Sequence, residues 1–244
     1  MLGNQTTDHT AASGSVIFLE NVYKKYDAAD QVPALGGISL DIKPGEFVFV
    51  TGNSGSGKTT LIRLLTRELK ADKGEIRVLD QDLKKIRRGR ISALRRRLGI
   101  VFQDFRLLKE RTIYDNVALA MRAVGTPRGR IKPRVEEVLN QVGLLDRKDA
   151  RPGQLSGGEQ QKAALARALV NHPEIILADE PTGNLDADSA WEIMELLDRA
   201  NRAGTTVVVV THNREIVEKM HKRVITMKRG MITRDGEETS GKAR

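Results

Sequence analysis

The sequence predicts an α/β fold, and three stretches of the chain carry that prediction. The apolar run at residues 47–50 is followed by a glycine-rich loop and then by helical spacing at residues 60–65. Four apolar residues at 175–178 end in two adjacent acids, and residues 205–210 form the most hydrophobic β-branched run in the chain. Short apolar runs of this kind are typical of buried strands in a parallel sheet.

The glycine-rich loop has the pattern G-x-x-x-x-G-K-[ST], which is typical of phosphate binding between a strand and a helix. Its glycines allow backbone N–H groups to surround phosphate oxygens, and the N-terminus of the following helix adds further donors. Lys58 is expected to reach the β- and γ-phosphates, and the Thr59 hydroxyl is expected to bind Mg²⁺. The predicted phosphate-binding residues are Gly52, Asn53, Ser54, Gly55, Ser56, Gly57, Lys58, Thr59 and Thr60.

Composition limits the function classes. The 244 residues suffice for one large domain, or for a core with a subdomain. There is no run of about 18 apolar residues, so no membrane span is predicted. The absence of cysteine excludes disulfides, thiolate metal sites and a cysteine nucleophile. A net charge of +9 favours anionic partners, either nucleic acid or an acidic membrane surface, but 4% aromatic residues leave few platforms for base stacking.

The remaining elements follow in chain order. Residues 1–14 are polar, lack the features of a signal peptide, and are expected to form a disordered leader. Strands are predicted at residues 16–26, 38–42, 75–79 and 98–102, and a helix is predicted at residues 187–203, before Gly204. Residues 104–170 are predicted to form a helical insertion, and residues 224–232 are predicted to form a hairpin about Arg229 and Gly230. A disordered tail is expected at residues 235–244.

A dense basic run occupies residues 84–97. Its cations are Lys84, Lys85, Arg87, Arg88, Arg90, Arg95, Arg96 and Arg97. One interpretation is a solvated helix face, and the other is a patch close to anionic lipid headgroups.

The two acids after residue 178 are the candidate metal and catalytic groups. The carboxyl end of a parallel sheet is where α/β proteins bind ligands. Asp179 is expected to hold Mg²⁺, directly or through water, and Glu180 is expected to accept a proton from an attacking water. The alternative is an ordinary solvated Asp-Glu turn.

A third motif, LSGGEQ at residues 155–160, supplies a second possible anion site at a helix N-terminus through Ser156, Gly157, Gly158 and Glu159. Together with the first two motifs it resembles the ATP-binding-cassette (ABC) ATPases, over about residues 15–234. The resemblance implies a P-loop NTPase core with a mixed sheet, an antiparallel β part and an inserted helical subdomain at about residues 104–170.

The resemblance also assigns expected roles to single residues. Tyr26 resembles the aromatic residue that stacks on adenine, although it could be an ordinary tyrosine at a strand end. Gln103 resembles the glutamine that touches Mg²⁺ and the attacking water and links to a transmembrane partner. His212 resembles the histidine that contacts the γ-phosphate, and Asp186 lies in a stretch that resembles the dimer-interface loop. The implied catalytic set is Glu180, His212, Gln103 and Lys58, with ATP and Mg²⁺ bound.

In this family the loop at residues 156–158 of one protomer covers the ATP bound to the other. The resemblance therefore implies a head-to-tail dimer with two-fold symmetry and two bound ATP molecules.

Within the family, residues 101–108 and 111–120 resemble the FtsE cell-division ATPases. Residues 177–186 are similar both to these and to the lipoprotein-release and macrolide-efflux ATPases. Lys109 and Asn213 depart from the expected proline and aspartate.

The resemblance implies a polytopic partner like FtsX that docks near residues 103–114 at the cytoplasmic face of the bacterial plasma membrane, with division-ring proteins as further partners. The alternatives are an exporter ATPase and, less favoured, a soluble nucleic-acid or ribosome-associated cassette, which usually has two cassettes or a long coiled coil.

Overall fold

The computed structural model describes residues 14–27 and 32–237, so the leader predicted for residues 1–14 lies almost wholly outside the described residues. The strands are β1 (Ile17–Lys24), β2 (Leu35–Ile42), β3 (Phe47–Thr51), β4 (Lys73–Val78), β5 (Gln81–Asp82), β6 (Leu98–Val101), β7 (Ile175–Asp179), β8 (Thr206–Val210), β9 (Arg223–Lys228) and β10 (Met231–Glu237). The helices are α1 (Lys58–Leu65), α2 (Arg88–Arg96), α3 (Ile113–Ala123), α4 (Arg128–Gln141), α5 (Gly157–Leu169), α6 (Ala187–Arg202) and α7 (Arg214–Met220).

A six-stranded sheet with the order β10-β9-β3-β8-β7-β6 forms the centre of the fold. Its strands are parallel except for the antiparallel β9–β10 hairpin. The β-branched run of β8 lies between β3 and β7, with every residue of the strand buried. The predicted position of this run in a central parallel strand is therefore confirmed, because such a strand is covered on both faces.

The register of these strands brings the ends of four of them to one edge. Val210 lies opposite both Val50 and Asp179, and Ala178 lies opposite Val101. The phosphate loop, the two acids, the Gln103 segment and His212 each follow one of these strands. The edge therefore collects motifs that are up to 160 residues apart in sequence, from Gly52 to His212, as expected for a ligand-binding edge of an α/β sheet.

Two hydrophobic layers cover the two faces of the central sheet. Phe49 and Val209 point to the layer built mainly with α3, α4, α5 and α6. Val50 and Val208 point to the layer that contains α1 and the antiparallel sheet β2-β1-β4-β5. The alternation follows from the two-residue period of strand side chains. The expected α/β core with a mixed sheet, an antiparallel β part and inserted helices is confirmed.

The chain end differs from the sequence-based expectation. A disordered tail was expected from residue 235, but β10 extends to Glu237 and pairs with β9 up to Arg223. The Arg223 guanidinium donates to both carboxylate oxygens of Asp235 at 2.7 Å, which fixes the added residues to the sheet. The expectation was wrong for residues 235–237 because the partner of Asp235 lies on another strand. Residues 238–244 lie outside the described part of the chain.

Candidate nucleotide-binding site

The phosphate loop is shaped by close approach of neighbouring backbone. Gly52 and Gly57 have φ angles of 147° and 104°, in the region that favours glycine. A Cβ on Gly57 would lie 2.5 Å from the Ala34 carbonyl oxygen, and one on Gly52 would lie 2.3 Å from that of Met227. The Gly230 N–H of the β9–β10 turn also donates to the Ser56 carbonyl at 3.0 Å. The loop is therefore held by β2 and by the hairpin as well as by β3.

Lys58 is the first residue of α1, and its side chain folds back over the loop. Its ammonium group donates to the carbonyl oxygens of Gly52 at 2.7 Å and Asn53 at 3.1 Å, and the residue is largely buried. The positive charge therefore lies inside the curve of the loop, where it can meet a phosphate group.

Asp179 ends β7 directly across from α1. It accepts a hydrogen bond from the Thr59 hydroxyl. Burial raises the pKa of the Asp179 carboxyl, and the neighbouring Glu180 carboxylate raises it further, while the Thr59 hydrogen bond and the charges of Lys58 and Arg106 offset part of that rise. Such a group gains from a cation, because a nearby positive charge stabilises the ionised form.

Glu180 and His212 form a pair across the sheet edge. Glu180 has a φ of 48°, an uncommon left-handed conformation that the bond from its N–H to the Val210 carbonyl at 2.9 Å helps to hold. Its Oε1 lies 2.9 Å from His212 Nδ1, and its Oε2 accepts from the His212 backbone N–H at 3.3 Å. The carboxylate therefore orients the imidazole, which remains largely exposed to the cleft.

These groups line one open cleft of about 800 Å³. Its lining comprises Tyr26, Ala34, Asn53, Ser54, Gly55, Ser56, Gly57, Lys58, Thr59, Thr60, Gln103, Asp179, Glu180 and His212. The structure thus brings together the phosphate loop, the two acids, the glutamine and the histidine predicted from separate motifs.

Tyr26 stands at one end of this cleft. Its side chain is 57% exposed, and its hydroxyl lies 3.1 Å from the Thr60 hydroxyl. One face of the tyrosine ring is therefore open next to the start of α1, and an adenine ring could stack on that face.

The LSGGEQ motif does not line this cleft within one chain. Ser156 caps α5 and accepts from the Glu159 N–H at 3.2 Å, and Glu159 accepts from the Ser156 N–H at 2.8 Å. A Cβ on Gly158 would lie 2.7 Å from the Ser189 hydroxyl, so the first turns of α5 and α6 pack closely. Asp186 caps α6 by accepting from the Ser189 N–H at 2.9 Å. These residues form a second surface, separate from the cleft.

Gln161, which sequence reasoning missed, joins the two segments that flank the catalytic candidates. It is fully buried, and its amide donates to the carbonyls of Pro181 at 2.8 Å and Phe102 at 3.4 Å. Pro181 follows Glu180, and Phe102 precedes Gln103. The signal that could have found it is a glutamine at helical spacing from buried Ala164 and Leu165.

Two further missed residues hold the segment after Gln103. Arg167 of α5 donates to the carbonyls of Phe105, at 2.8 Å, and of Arg106. Both acceptors have left-handed φ angles, 56° and 49°. Asn116 of α3 is buried, and it accepts from the Leu108 N–H at 2.7 Å and donates to the Leu108 carbonyl at 3.1 Å. The segment is therefore pinned at several points by the helices of the insertion.

Asn213, which stands where the family resemblance predicts aspartate, still caps the following helix. Its side chain caps α7 by accepting from the Ile216 N–H at 3.2 Å, as an aspartate would.

The available donors fit Mg²⁺ better than a transition metal. The Thr59 hydroxyl and the Asp179 carboxylate are adjacent oxygen ligands, and magnesium keeps several waters and needs few protein ligands beside substrate phosphates. Among residues 14–27 and 32–237, no group of three or more His, Cys, Asp or Glu side chains could hold a metal alone.

The fold and the cleft define a P-loop ATPase of the ATP-binding-cassette type. The family model described as ABC transporter matches residues 35–183. The cell-division ATP-binding protein FtsE of Bacillus subtilis strain 168 is 50% identical over 220 residues, which cover 90% of this chain and 96% of the relative. FtsE of Escherichia coli K12 is 41% identical over 217 residues, covering 89% and 97%. The chain belongs to the ABC transporter family and, within it, to the FtsE group of ATPases.

Solved structures agree with this assignment. The ATP-binding cassette MJ0796, described as a dimer in a post-hydrolysis state bound to ADP and phosphate, has a TM-score of 0.82 and 35% identity. It covers 92% of this chain, and this chain covers all of it. The chain is therefore an ATP-binding ATPase of a cassette family whose members form dimers. None of the helices in residues 14–27 and 32–237 is long and apolar enough to cross a bilayer.

Proposed function

We propose that this chain is the ATP-hydrolysing subunit of a membrane complex that acts in bacterial cell division. Similarity to the FtsE proteins supports the division role, and the separation of the cleft from the LSGGEQ surface supports an ATPase that works as a dimer. Lys58, Asp179 and Glu180 face one cleft, whereas Ser156 and Asp186 lie on a surface outside it. One chain therefore offers half of a site, and a second copy completes it.

In the proposed reaction, water attacks the γ-phosphorus of ATP and the bond to the ADP oxygen breaks. Lys58 and the loop N–H groups hold the β- and γ-phosphates, and the Glu180 carboxylate takes the proton of the attacking water. His212, oriented by Glu180, contacts the γ-phosphate. Mg²⁺ held by Thr59, Asp179 and Gln103 would neutralise negative charge on the phosphates when bound.

In the proposed dimer, two copies meet head to tail and enclose two ATP molecules. Ser156, Gly157, Gly158 and Glu159 of each copy cover the γ-phosphate in the cleft of the other, and Asp186 lies at the contact between copies. The capped first turn of α5 supports this role, because its N–H groups and positive dipole end favour an anion. We further infer that the helical subdomain at about residues 104–170 moves with this loop when ATP is hydrolysed.

The proposed membrane partner is an FtsX-like polytopic protein that docks near residues 103–114. The fixed conformation of this segment supports docking, and so do two exposed apolar side chains, Leu108 in the segment, 46% exposed, and Leu119 in the following helix α3, 44% exposed. The chain would then lie at the cytoplasmic face of the plasma membrane, close to its anionic lipids. ATP-driven motion would activate septal cell-wall hydrolases through this partner, with division-ring proteins as further contacts.

The test of the proposed reaction and dimer is Glu180→Gln. Loss of the base is expected to reduce ATP hydrolysis by at least about 100-fold while ATP binding continues. The variant should then accumulate as a dimer with ATP, measured by size-exclusion chromatography with light scattering. Glu195→Gln on the exposed face of α6 is the matched control and should keep wild-type hydrolysis. A Glu180→Gln protein that stays monomeric with ATP, or that still hydrolyses it, would contradict the proposal.

The division role has its own test. Co-expression of this chain with the FtsX-like protein of the same cell is expected to give a complex that co-purifies from detergent-solubilised membranes. Co-expression with a lipoprotein-release permease is the control, and preferential recovery of that permease would favour the exporter alternative.

A further inference from the structure

The exposed basic side chains of α2 and the turn before it have no assigned role. Residues 83–103 contain no Asp or Glu. We define the α2 patch as Lys84, Arg87, Arg88, Arg90 and Arg96. All five are exposed, and no side chain in the described part of the protein forms an ion pair or hydrogen bond with theirs.

The same basic run contains three cations that the fold does use. Lys85 pairs with Asp82 at 3.2 Å, and Arg95 Nε donates to the Thr66 carbonyl at 2.9 Å. Arg97 donates to both carboxylate oxygens of Glu174. The run is therefore divided between cations that have partners in the fold and cations whose side chains have no partner among the described residues.

Three charges of the α2 patch, those of Arg87, Arg88 and Arg90, oppose the stability of the helix itself. Arg87 is the N-cap residue and makes no side-chain capping bond, and Arg88 and Arg90 occupy a first turn that contains no acid. A helix N-terminus carries partial positive charge, so cations there are unfavourable, and so is their mutual repulsion. Cations at a helix N-terminus with no acid nearby are expected at functional sites, where a bound anion offsets their repulsion.

One residue of the α2 patch, Arg96, lines a groove next to the segment proposed to meet the membrane partner. The groove of about 460 Å³ runs between α2, β6, α3 and α5 and is lined in part by Arg96, Val124 and Arg167. Arg167 is the side chain that binds the carbonyls of Phe105 and Arg106, just after Gln103. The C-terminal end of α2, through Arg96, therefore borders the part of the surface that the proposed function turns toward the bilayer.

We propose that the α2 patch binds the phosphate headgroups of an anionic phospholipid surface. Arginine suits this ligand because its planar fork donates two parallel hydrogen bonds to a phosphate. Single-stranded nucleic acid is the less favoured occupant, since residues 83–101 contain no aromatic side chain for base stacking. The inference deepens the proposed membrane association and rests on it only for the orientation of the chain.

The experiment measures co-sedimentation of the full chain with vesicles of phosphatidylglycerol and phosphatidylcholine in equal parts. Each surface cation contributes about fivefold to membrane affinity, so the triple variant R87Q/R88Q/R90Q should bind about 100-fold more weakly than wild type. Binding should also weaken with added salt and be absent for pure phosphatidylcholine vesicles.

The matched control is R199Q/R202Q/K219Q, which removes the same charge from α6 and α7 instead of from the α2 patch. It should retain most of the wild-type affinity. An equal loss in both variants would overturn the proposal by showing that only net charge matters. Absence of wild-type binding to the anionic vesicles, or tighter binding to single-stranded RNA than to them, would overturn it too.

Activity separates this inference from the proposed function. ATP hydrolysis by R87Q/R88Q/R90Q in solution should stay within about twofold of wild type, because the three arginines lie outside the cleft. Failure of vesicle binding with intact hydrolysis refutes the lipid site alone, whereas failure of hydrolysis in the wild-type chain refutes the proposed function alone.

Discussion

Gln161→Leu should reduce both stability and turnover, because Gln161 joins the chain around Glu180 to the chain around Gln103. The substitution keeps the side-chain volume nearly constant but removes the donors to the carbonyls of Pro181 and Phe102. Leaving a buried acceptor unpaired costs about 1–3 kcal/mol. The Gln161 Oε1 is buried and accepts no hydrogen bond within the described residues, so removing it offsets part of that cost.

We therefore expect a net loss of about 1–2 kcal/mol in the free energy of unfolding, measured by urea denaturation without nucleotide. The effect on catalysis should be larger than the effect on binding. The two carbonyls that Gln161 holds adjoin Gln103 and Glu180, and a misplacement of about 1 Å at a reacting centre can reduce turnover by about 100-fold. A steady-state ATPase assay should show kcat lowered by at least about tenfold, with KM within about twofold of wild type.

Gln141→Leu is the matched control for this prediction. Gln141 is the last residue of α4 and is exposed, and among the described residues its side chain bonds only to Glu137, at 3.3 Å. It should change stability by less than about 0.5 kcal/mol and leave kcat unchanged. If Gln161→Leu matched this control in both assays, the reasoning that Gln161 positions the two catalytic segments would be wrong.

Two further predictions concern stability. Arg223→Ala should lower the free energy of unfolding by about 2–3 kcal/mol in a urea titration. The substitution removes ion pairs at 2.7 Å to Asp235 and at 2.8 Å to Glu46, which join β9 to β10 and to the start of β3. An unchanged midpoint would show that these contacts carry no net stability. Asp179→Asn should instead stabilise the nucleotide-free protein at pH 7, because burial and the Glu180 charge raise the pKa of Asp179 and make its ionised form costly. Because the pKa of Asp179 is higher in the folded state, the wild-type protein loses stability as pH rises from the unfolded pKa of 3.8 through the folded pKa. The stability gained by Asp179→Asn should therefore vanish below about pH 3.8. A gain that did not depend on pH would contradict this cause.

The fold class and the residues that line the cleft followed largely from sequence, because their signals are local. The phosphate loop is one contiguous stretch with its strand and helix on either side, and Asp179 and Glu180 lie at the end of a buried strand. His212 follows the next buried strand in the sequence, β8. The carboxyl ends of parallel strands share one edge, so position after a strand was enough to predict that these residues meet.

Contacts between distant segments could not be predicted in this way. The Glu180–His212 pair spans 32 residues and depends on the register of β7 with β8. Gln161 and Arg167 take their roles from carbonyl groups on loops, and a carbonyl has no signature in sequence. The extension of β10 similarly depends on Arg223, whose guanidinium finds Asp235 only after the hairpin has formed.

The sequence by itself determined that this chain folds around a phosphate loop and binds a nucleotide, since the glycines, the lysine and the adjacent acids are required for that chemistry wherever they are placed. Only the tertiary structure decided which of these motifs share one cleft within the chain. It grouped Lys58, Asp179, Glu180 and His212 in one cleft and placed Ser156 on a separate surface. It also distinguished the cations of residues 84–97 that have partners in the fold from those of the α2 patch, because hydrogen-bond partners are assigned by packing rather than by sequence order.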